Sequence, residues 1–213
     1  MQALVTGFQP FDGDDVNPSL AAIRELPPLL GNLEIATAAL PCVFGEALRV
    51  LETAVAATRP DLVLCVGLAG GRAELSLERV AINVDDARIP DNDGNQPIDR
   101  PVAIDGPPAY FATLPIKAAV IALRQAGLPA SVSNSAGTFV CNHVFYGLMH
   151  LLAGRGEPVR GGFLHVPYLP DQAARQRGAP SMALPEIVRG IGIILRVAAE
   201  RVDDIAAPEG TIS

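Results

Sequence analysis

The chain has 213 residues, 49% hydrophobic and 18% charged, enough apolar side chain for one packed α/β unit spanning 1–213. Lys and Arg number 16 against 23 Asp and Glu, a net charge of −7 with no basic run, which excludes an extended nucleic-acid footprint. Apolar runs are short or interrupted, and even 187–197 carries Arg189 and Arg196, so no membrane span is expected.

The first element is a strand over 2–6, followed by a helix opened by Asn17-Pro18-Ser19, where Asn suits the cap and Pro the first turn. A strand over 33–39 and a helix over 45–58 come next. A strand over 61–67 then ends in Gly67-Leu68-Ala69-Gly70-Gly71. A strand over 75–84, an excursion rich in Pro, Asp and Gly over 85–108, and a helix over 115–126 follow. The strand 130–134 leads through Ser135-Ala136-Gly137-Thr138 to a helix over 140–153. The apolar run 161–170, with its flanking Gly and Pro, reads as a buried parallel strand and its exit, and a helix over 185–203 precedes a frayed tail at 205–213. This alternation predicts a three-layer α/β sandwich: a mainly parallel twisted sheet with helices on both faces.

Cys141 falls at the start of the 140–153 helix. Unpaired N–H groups and the positive dipole end there lower a cysteine pKa from about 8.5 toward neutrality, the usual way to prepare a thiolate nucleophile. Such a nucleophile needs a base, and the chain has three histidines, His143, His150 and His165. On a helix His143 lies about 200° and His150 about 180° around the axis from Cys141, so neither faces the thiol. His165 lies near the carboxyl end of its strand, where catalytic groups of open α/β sheets gather. A right-handed crossover from 130–134 through the helix would lay the His165 strand parallel to the first, as its neighbour.

A third group would orient the imidazole. Strand alternation places Glu78 on one face with Val80, Ile82 and Val84, where a buried carboxylate needs a partner. Arg79 or Arg88 would serve a purely structural pairing. Asp91 is the rival orienter, although its Pro90-Asp91-Asn92-Asp93-Gly94 setting favours turn chemistry.

Cys42 and Cys65 read as structural thiols, and three irregularly spaced cysteines indicate a reducing, cytoplasmic compartment. Neither cysteines nor histidines have metal-ligand spacing, so no metal is expected. The glycine turn after 61–67 invites a phosphate-binding reading, but it lacks both the dinucleotide fingerprint and a P-loop Lys-Ser/Thr.

Several blocks together resemble one family. They are Thr6-Gly7-Phe8-Gln9-Pro10-Phe11, Asn17-Pro18-Ser19, Gly70-Gly71-Arg72, Glu78-Arg79-Val80-Ala81-Ile82-Asn83, Arg88-Ile89-Pro90-Asp91-Asn92, Ala136-Gly137-Thr138-Phe139-Val140-Cys141-Asn142-His143 and Gly161-Gly162-Phe163-Leu164-His165-Val166-Pro167-Tyr168. Ordered from the first strand toward the last helix, they are similar to pyroglutamyl peptidase I, the pyrrolidone-carboxylate peptidases.

The resemblance implies a phosphorylase/hydrolase-like fold and a cytosolic, homotetrameric cysteine peptidase. It would remove N-terminal pyroglutamate from peptides through a thioester, without a cofactor. Carried over, Cys141 is the nucleophile, His165 the base and Glu78 the orienting carboxylate. Arg88 would lie near the oxyanion, and Phe8, Phe11, Ile89, Phe139 and Val140 would bind substrate. Leu68 departs from the glutamine of some relatives, His150 stands at a site where an acidic residue occurs, and Cys42 is an extra thiol. Two other classes use similar elements: a nucleoside phosphorylase or hydrolase, indifferent to loss of Cys141, and a non-catalytic small-molecule binding protein with Cys141 in its core.

Overall fold

The computed structural model describes residues 1–156 and 158–210. The strands are β1 (Gln2–Phe8), β2 (Leu29–Leu30), β3 (Leu33–Leu40), β4 (Leu62–Leu68), β5 (Leu75–Glu78), β6 (Val80–Ile82), β7 (Ala109–Phe111), β8 (Ala130–Ser133) and β9 (Arg160–Val166). The helices are α1 (Pro18–Arg24), α2 (Glu46–Thr58), α3 (Ile116–Gln125), α4 (Val140–Gly154), α5 (Pro170–Ala173) and α6 (Leu184–Glu200). At the head of α1, Asn17 Oδ1 accepts from Ser19 N–H at 3.1 Å and Pro18 occupies the first turn, so the Asn-Pro-Ser signal acts as read.

Seven strands form one sheet in the order β2-β3-β1-β4-β9-β5-β8. β3, β1, β4 and β9 run parallel, β4 being the continuous apolar run expected of a strand covered on both faces. On one face Val5, Leu64, Val66, Leu77 and Leu164 pack with Ile23 of α1, Val120 of α3 and Ile191 of α6. On the other, Leu4, Val63, Cys65 and Phe163 pack with Leu51 of α2 and Val144 and Leu148 of α4. The result is the expected three-layer α/β architecture. Among the described residues no helix is long and apolar enough to cross a membrane.

Three expectations need correction. β8 is not a parallel neighbour of β9: β5 lies between them, antiparallel to β9 and parallel to β8. The turn over 134–139 folds the chain back before α4 begins, so the direction of β8 does not set that of β9. The strand expected over 75–84 divides at Arg79. There Arg79 N–H donates to the Ser133 carbonyl, the Arg79 carbonyl accepts from Ala112 N–H, and β6 leaves to pair with β7 in a separate two-stranded sheet. The tail is held as far as it is described: Lys117 Nζ donates to the Ala207 carbonyl, Arg79 Nη2 to the Glu209 carbonyl, and Arg124 Nη1 to Glu209 Oε1. Residues 211–213 of that predicted tail lie outside the described residues.

Candidate active site

Cys141 is the second residue of α4, whose cap residue Phe139 is extended and makes no side-chain capping bond. The first-turn N–H groups are therefore not taken up by a capping side chain. The sulfur rests on the sheet at Gly67: a β-carbon there would lie 2.8 Å from Cys141 Sγ and 2.9 Å from the Phe163 ring. Only glycine admits that approach. Gly67 is paired across the parallel ladder with His165, which sets the sulfur beside the imidazole strand. Gly70, in the same turn, faces the Tyr168 ring. The glycine turn that suggested a phosphate cradle thus receives two side chains.

His165 is the penultimate residue of β9 and is buried. Its Nδ1 lies 2.7 Å from Glu78 Oε1. Register explains the meeting: Ser76 opposes His165 and Glu78 opposes Phe163 across the antiparallel β5–β9 pair, so all four share the α4 face of the sheet. Glu78 is completely buried, and the same Oε1 accepts from Arg72 Nη1 at 2.8 Å. Its cationic partner is therefore neither Arg79 nor Arg88. Asp91 performs turn chemistry, accepting from the backbone N–H groups of Phe44, Asp93 and Asn95.

A cavity of about 320 Å³ opens over this constellation. Cys141 and His165 line it together with Phe8, Phe11, Phe139, Leu68, Cys42 and Arg72. The aromatic residues form one wall, Phe11 packing on Phe139 with ring centroids 6.2 Å apart and Phe44 meeting Phe139 edge-on at 5.4 Å. A larger hollow of about 510 Å³ lies between Leu33 and Arg196, with no nucleophile among its lining residues.

Three of the expected site residues fall elsewhere. Arg88 is exposed and outside the cavity lining, because the backbone turns Ala87 and Asp91 inward and Arg88 outward. Ile89, half-buried on that segment, and Val140, packed in the core beneath α4, also lie outside it.

The pyroglutamyl peptidase family pattern matches residues 1–201. The chain belongs to this family. The Ralstonia nicotianae protein named pyrrolidone-carboxylate peptidase 1 is 56% identical over 210 residues, 98% of each chain. The corresponding Brevibacillus brevis protein, named pyrrolidone-carboxylate peptidase, is 53% identical over 99% of this chain and 98% of its own. The crystal structure of Bacillus amyloliquefaciens pyroglutamyl peptidase I superposes with a TM-score of 0.92 at 46% identity, covering 96% of this chain and 99% of that one. A mutant pyrrolidone carboxyl peptidase from Pyrococcus furiosus gives 0.91 at 41% identity, over 94% and 99%. This member of the family is a cysteine-type peptidase.

The electrostatics differ from the sequence expectation. Burial is the main influence on the Cys141 thiol and pushes it up; Cys42 and Glu78 add to this, while Arg72 opposes it. A helix end is worth about 1 kcal/mol to such a group, and the desolvation of a thiol seated against the sheet outweighs it. Burial likewise pushes His165 down, against the pull of Glu78. Both shifts favour a neutral thiol beside a neutral imidazole over a thiolate–imidazolium pair. Burial also pushes Cys42 and Cys65 up to about 12, and of the three thiols Cys141 alone is partly exposed.

Sequence reasoning missed the residues that hold this pyroglutamyl peptidase site in place. Asn142 Nδ2 donates to the carbonyls of Ile82 and Val84, and its Oδ1 accepts from Ile82 N–H, fastening the chain beyond β6 to α4. His143 Nδ1 lies 2.8 Å from Asp85 Oδ2 and its Nε2 accepts from Gly45 N–H. The hint was polarity, two hydrogen-bonding side chains directly after the nucleophile in a helix that is mostly apolar. His150 lies apart, its Nδ1 2.9 Å from the Tyr110 hydroxyl.

Proposed function

We propose that the chain hydrolyses the amide bond after an N-terminal pyroglutamyl residue, with Cys141 as nucleophile, His165 as general base and acid, and Glu78 as orienter. The observation that carries this is the seating of Cys141 Sγ over Gly67, beside a histidine whose other nitrogen is tied to a buried carboxylate. With Nδ1 donating to Glu78, Nε2 is the nitrogen left to take the thiol proton.

The reaction follows in two halves. Sγ attacks the pyroglutamyl carbonyl as its proton passes to His165 Nε2, and the oxyanion is met by N–H groups at the start of α4. Collapse breaks the C–N bond, His165 protonates the departing amine, and a thioester to Cys141 remains. His165 then takes a proton from water as its oxygen attacks the thioester; C–S cleavage returns that proton to sulfur and releases pyroglutamate. The lactam ring is compact and uncharged, which matches the wall of Phe8, Phe11 and Phe139.

Four assembled copies and a cytoplasmic location remain part of this reading; the first rests on the family resemblance, the second also on three unpaired cysteines. The test is hydrolysis of a fluorogenic pyroglutamyl amide by wild type and Cys141→Ser under reducing conditions, beside a prolyl amide lacking the lactam carbonyl. Cleavage of the pyroglutamyl compound alone, lost in the variant, is expected. Equal cleavage by Cys141→Ser, or none by folded wild type, would overturn the assignment.

A further inference from the structure

Arg72 spans the two halves of the site. Its Nη1 donates at 2.8 Å to Glu78 Oε1, the oxygen that also meets His165 Nδ1 at 2.7 Å. Its Nη2 donates at 3.1 Å to the Ser135 carbonyl, in the turn that leads into α4 and Cys141. A single planar guanidinium therefore links the carboxylate behind the base to the backbone ahead of the nucleophile. Its side chain is 31% exposed, toward the cavity it lines, whereas that of Glu78 is fully buried.

This arrangement answers an electrostatic problem. A buried carboxylate stays ionised only if it is paired and hydrogen-bonded. His165 must remain neutral to accept the thiol proton, so it offers Glu78 an N–H but no charge. Without a fixed cation the Glu78–His165 pair would favour an imidazolium, and an imidazolium is no base. Arg72 supplies the missing charge to Glu78 and repels a second one on His165.

We propose that Arg72 is a positioning residue of the reaction, acting through Glu78 to keep His165 a neutral base and through Ser135 to fix the start of α4. The inference rests on the assignment of Cys141, His165 and Glu78 made above. The titratable and charged groups around the imidazole are Glu78 of β5, Arg72 of the turn after β4 and Cys141 of α4, with Cys42 and Cys65 beyond the thiol. Arg72 holds both His165 and Cys141 lower than they would otherwise lie. Removing it raises the proton affinity of His165 and moves the acid limb of kcat/KM to higher pH.

The experiment compares wild type, Arg72→Ala and Arg72→Lys on a fluorogenic pyroglutamyl amide across the acid and neutral range, with thermal unfolding alongside and millimolar guanidinium added to the Ala variant. In Arg72→Ala, kcat should fall roughly 10- to 100-fold, the effect of losing one hydrogen bond to a buried charge, with KM little changed. Its acid limb should move up, and guanidinium should restore part of the rate. Arg72→Lys keeps the charge and loses the fork, so it should hold the wild-type acid limb at reduced kcat. A higher KM at unchanged kcat would make Arg72 a substrate-binding group and overturn the proposal. A wild-type acid limb in Arg72→Ala would overturn it too. If the Ala variant does not fold, wild-type kcat in Arg72→Lys is the overturning result. Failure of wild type itself to cleave removes the functional assignment and this inference together; cleavage indifferent to Arg72 removes the inference alone.

Discussion

His165 and His143 are two buried histidines built to the same first specification: each sets Nδ1 against a buried carboxylate, Glu78 at 2.7 Å and Asp85 at 2.8 Å. They differ at the other nitrogen. Nε2 of His143 accepts the N–H of Gly45 at 2.9 Å, so that imidazole is bonded at both ends and bridges α4, the Asp85 carboxylate and the head of α2. His165 lines the cavity with Cys141, and its Nε2 is turned away from Glu78 toward that space. A His–carboxylate pair is therefore not in itself a catalytic device; what its second nitrogen faces decides whether it does chemistry or holds structure.

The largest effects should separate the two pairs. His165→Ala should lower kcat/KM by roughly 10³- to 10⁴-fold, as expected for a lost general base, with a smaller loss of thermal stability because the buried Glu78 keeps its Arg72 partner. His143→Ala should do the reverse. It strands the Asp85 carboxylate and the Gly45 N–H in the interior, costing about 2–4 kcal/mol and lowering Tm by about 5–12 °C for a chain of this size, with a smaller loss of activity. Steady-state kinetics and thermal unfolding on both variants check the contrast. An inactive but fully stable His143→Ala would place that histidine in the chemistry and break the distinction.

Which histidine stands beside Cys141 could be read from the sequence, because helical spacing turned His143 away from Cys141 and strand position carried His165 to a carboxyl end, but the His143–Asp85 pair could not. Most of the longer elements along the chain were also legible, α4 nearly to the residue, since apolar runs and glycine or proline boundaries are local signals, whereas the short β2, β7 and α5 left no such pattern. The lateral order of the strands was not legible. β5 inserts between β8 and β9 with reversed direction, a long-range choice that no local pattern encodes. The same limit explains Arg72, whose partners Glu78 and Ser135 are brought to it by the sheet and by the turn before α4. It explains Arg88 as well, carried to the surface by the alternating burial of Ala87 and Asp91.

Gly67 sharpens the comparison from the nucleophile's side, since no residue of this kind lies under the His143 pair. Gly67→Ala would put a methyl group 2.8 Å from Cys141 Sγ and 2.9 Å from the Phe163 ring, and neither neighbour is the far end of a flexible chain. The helix start must then lift from the sheet by a few tenths of an ångström or more. A displacement of the attacking atom on that scale should lower kcat by roughly 100-fold, with a stability loss of about 1–3 kcal/mol from overpacking. Activity retained at the wild-type level would mean that the sulfur does not react from this seat.

The smallest effect concerns pH, and it separates a neutral Cys141–His165 pair from a thiolate–imidazolium pair. Burial holds His165 below its ordinary value of 6.5, so the unfolded chain binds a proton that the folded one refuses. Stability from this group is fully present above about pH 6.5 and is lost as pH falls from there through the folded value. The catalytically competent form is the neutral imidazole, so the acid limb of kcat/KM should lie below about pH 6.5. On the other side, the raised Cys141 thiol should make alkylation by iodoacetamide accelerate steadily as pH rises above neutrality, because the thiolate fraction keeps growing. A standing thiolate–imidazolium pair would show the opposite: an alkylation rate already on its plateau near neutral pH, and an acid limb set by protonation of the thiolate. Measuring both profiles on one preparation distinguishes the two states, because burial against Gly67 and Phe163 favours the neutral pair while the α4 end favours the ion pair.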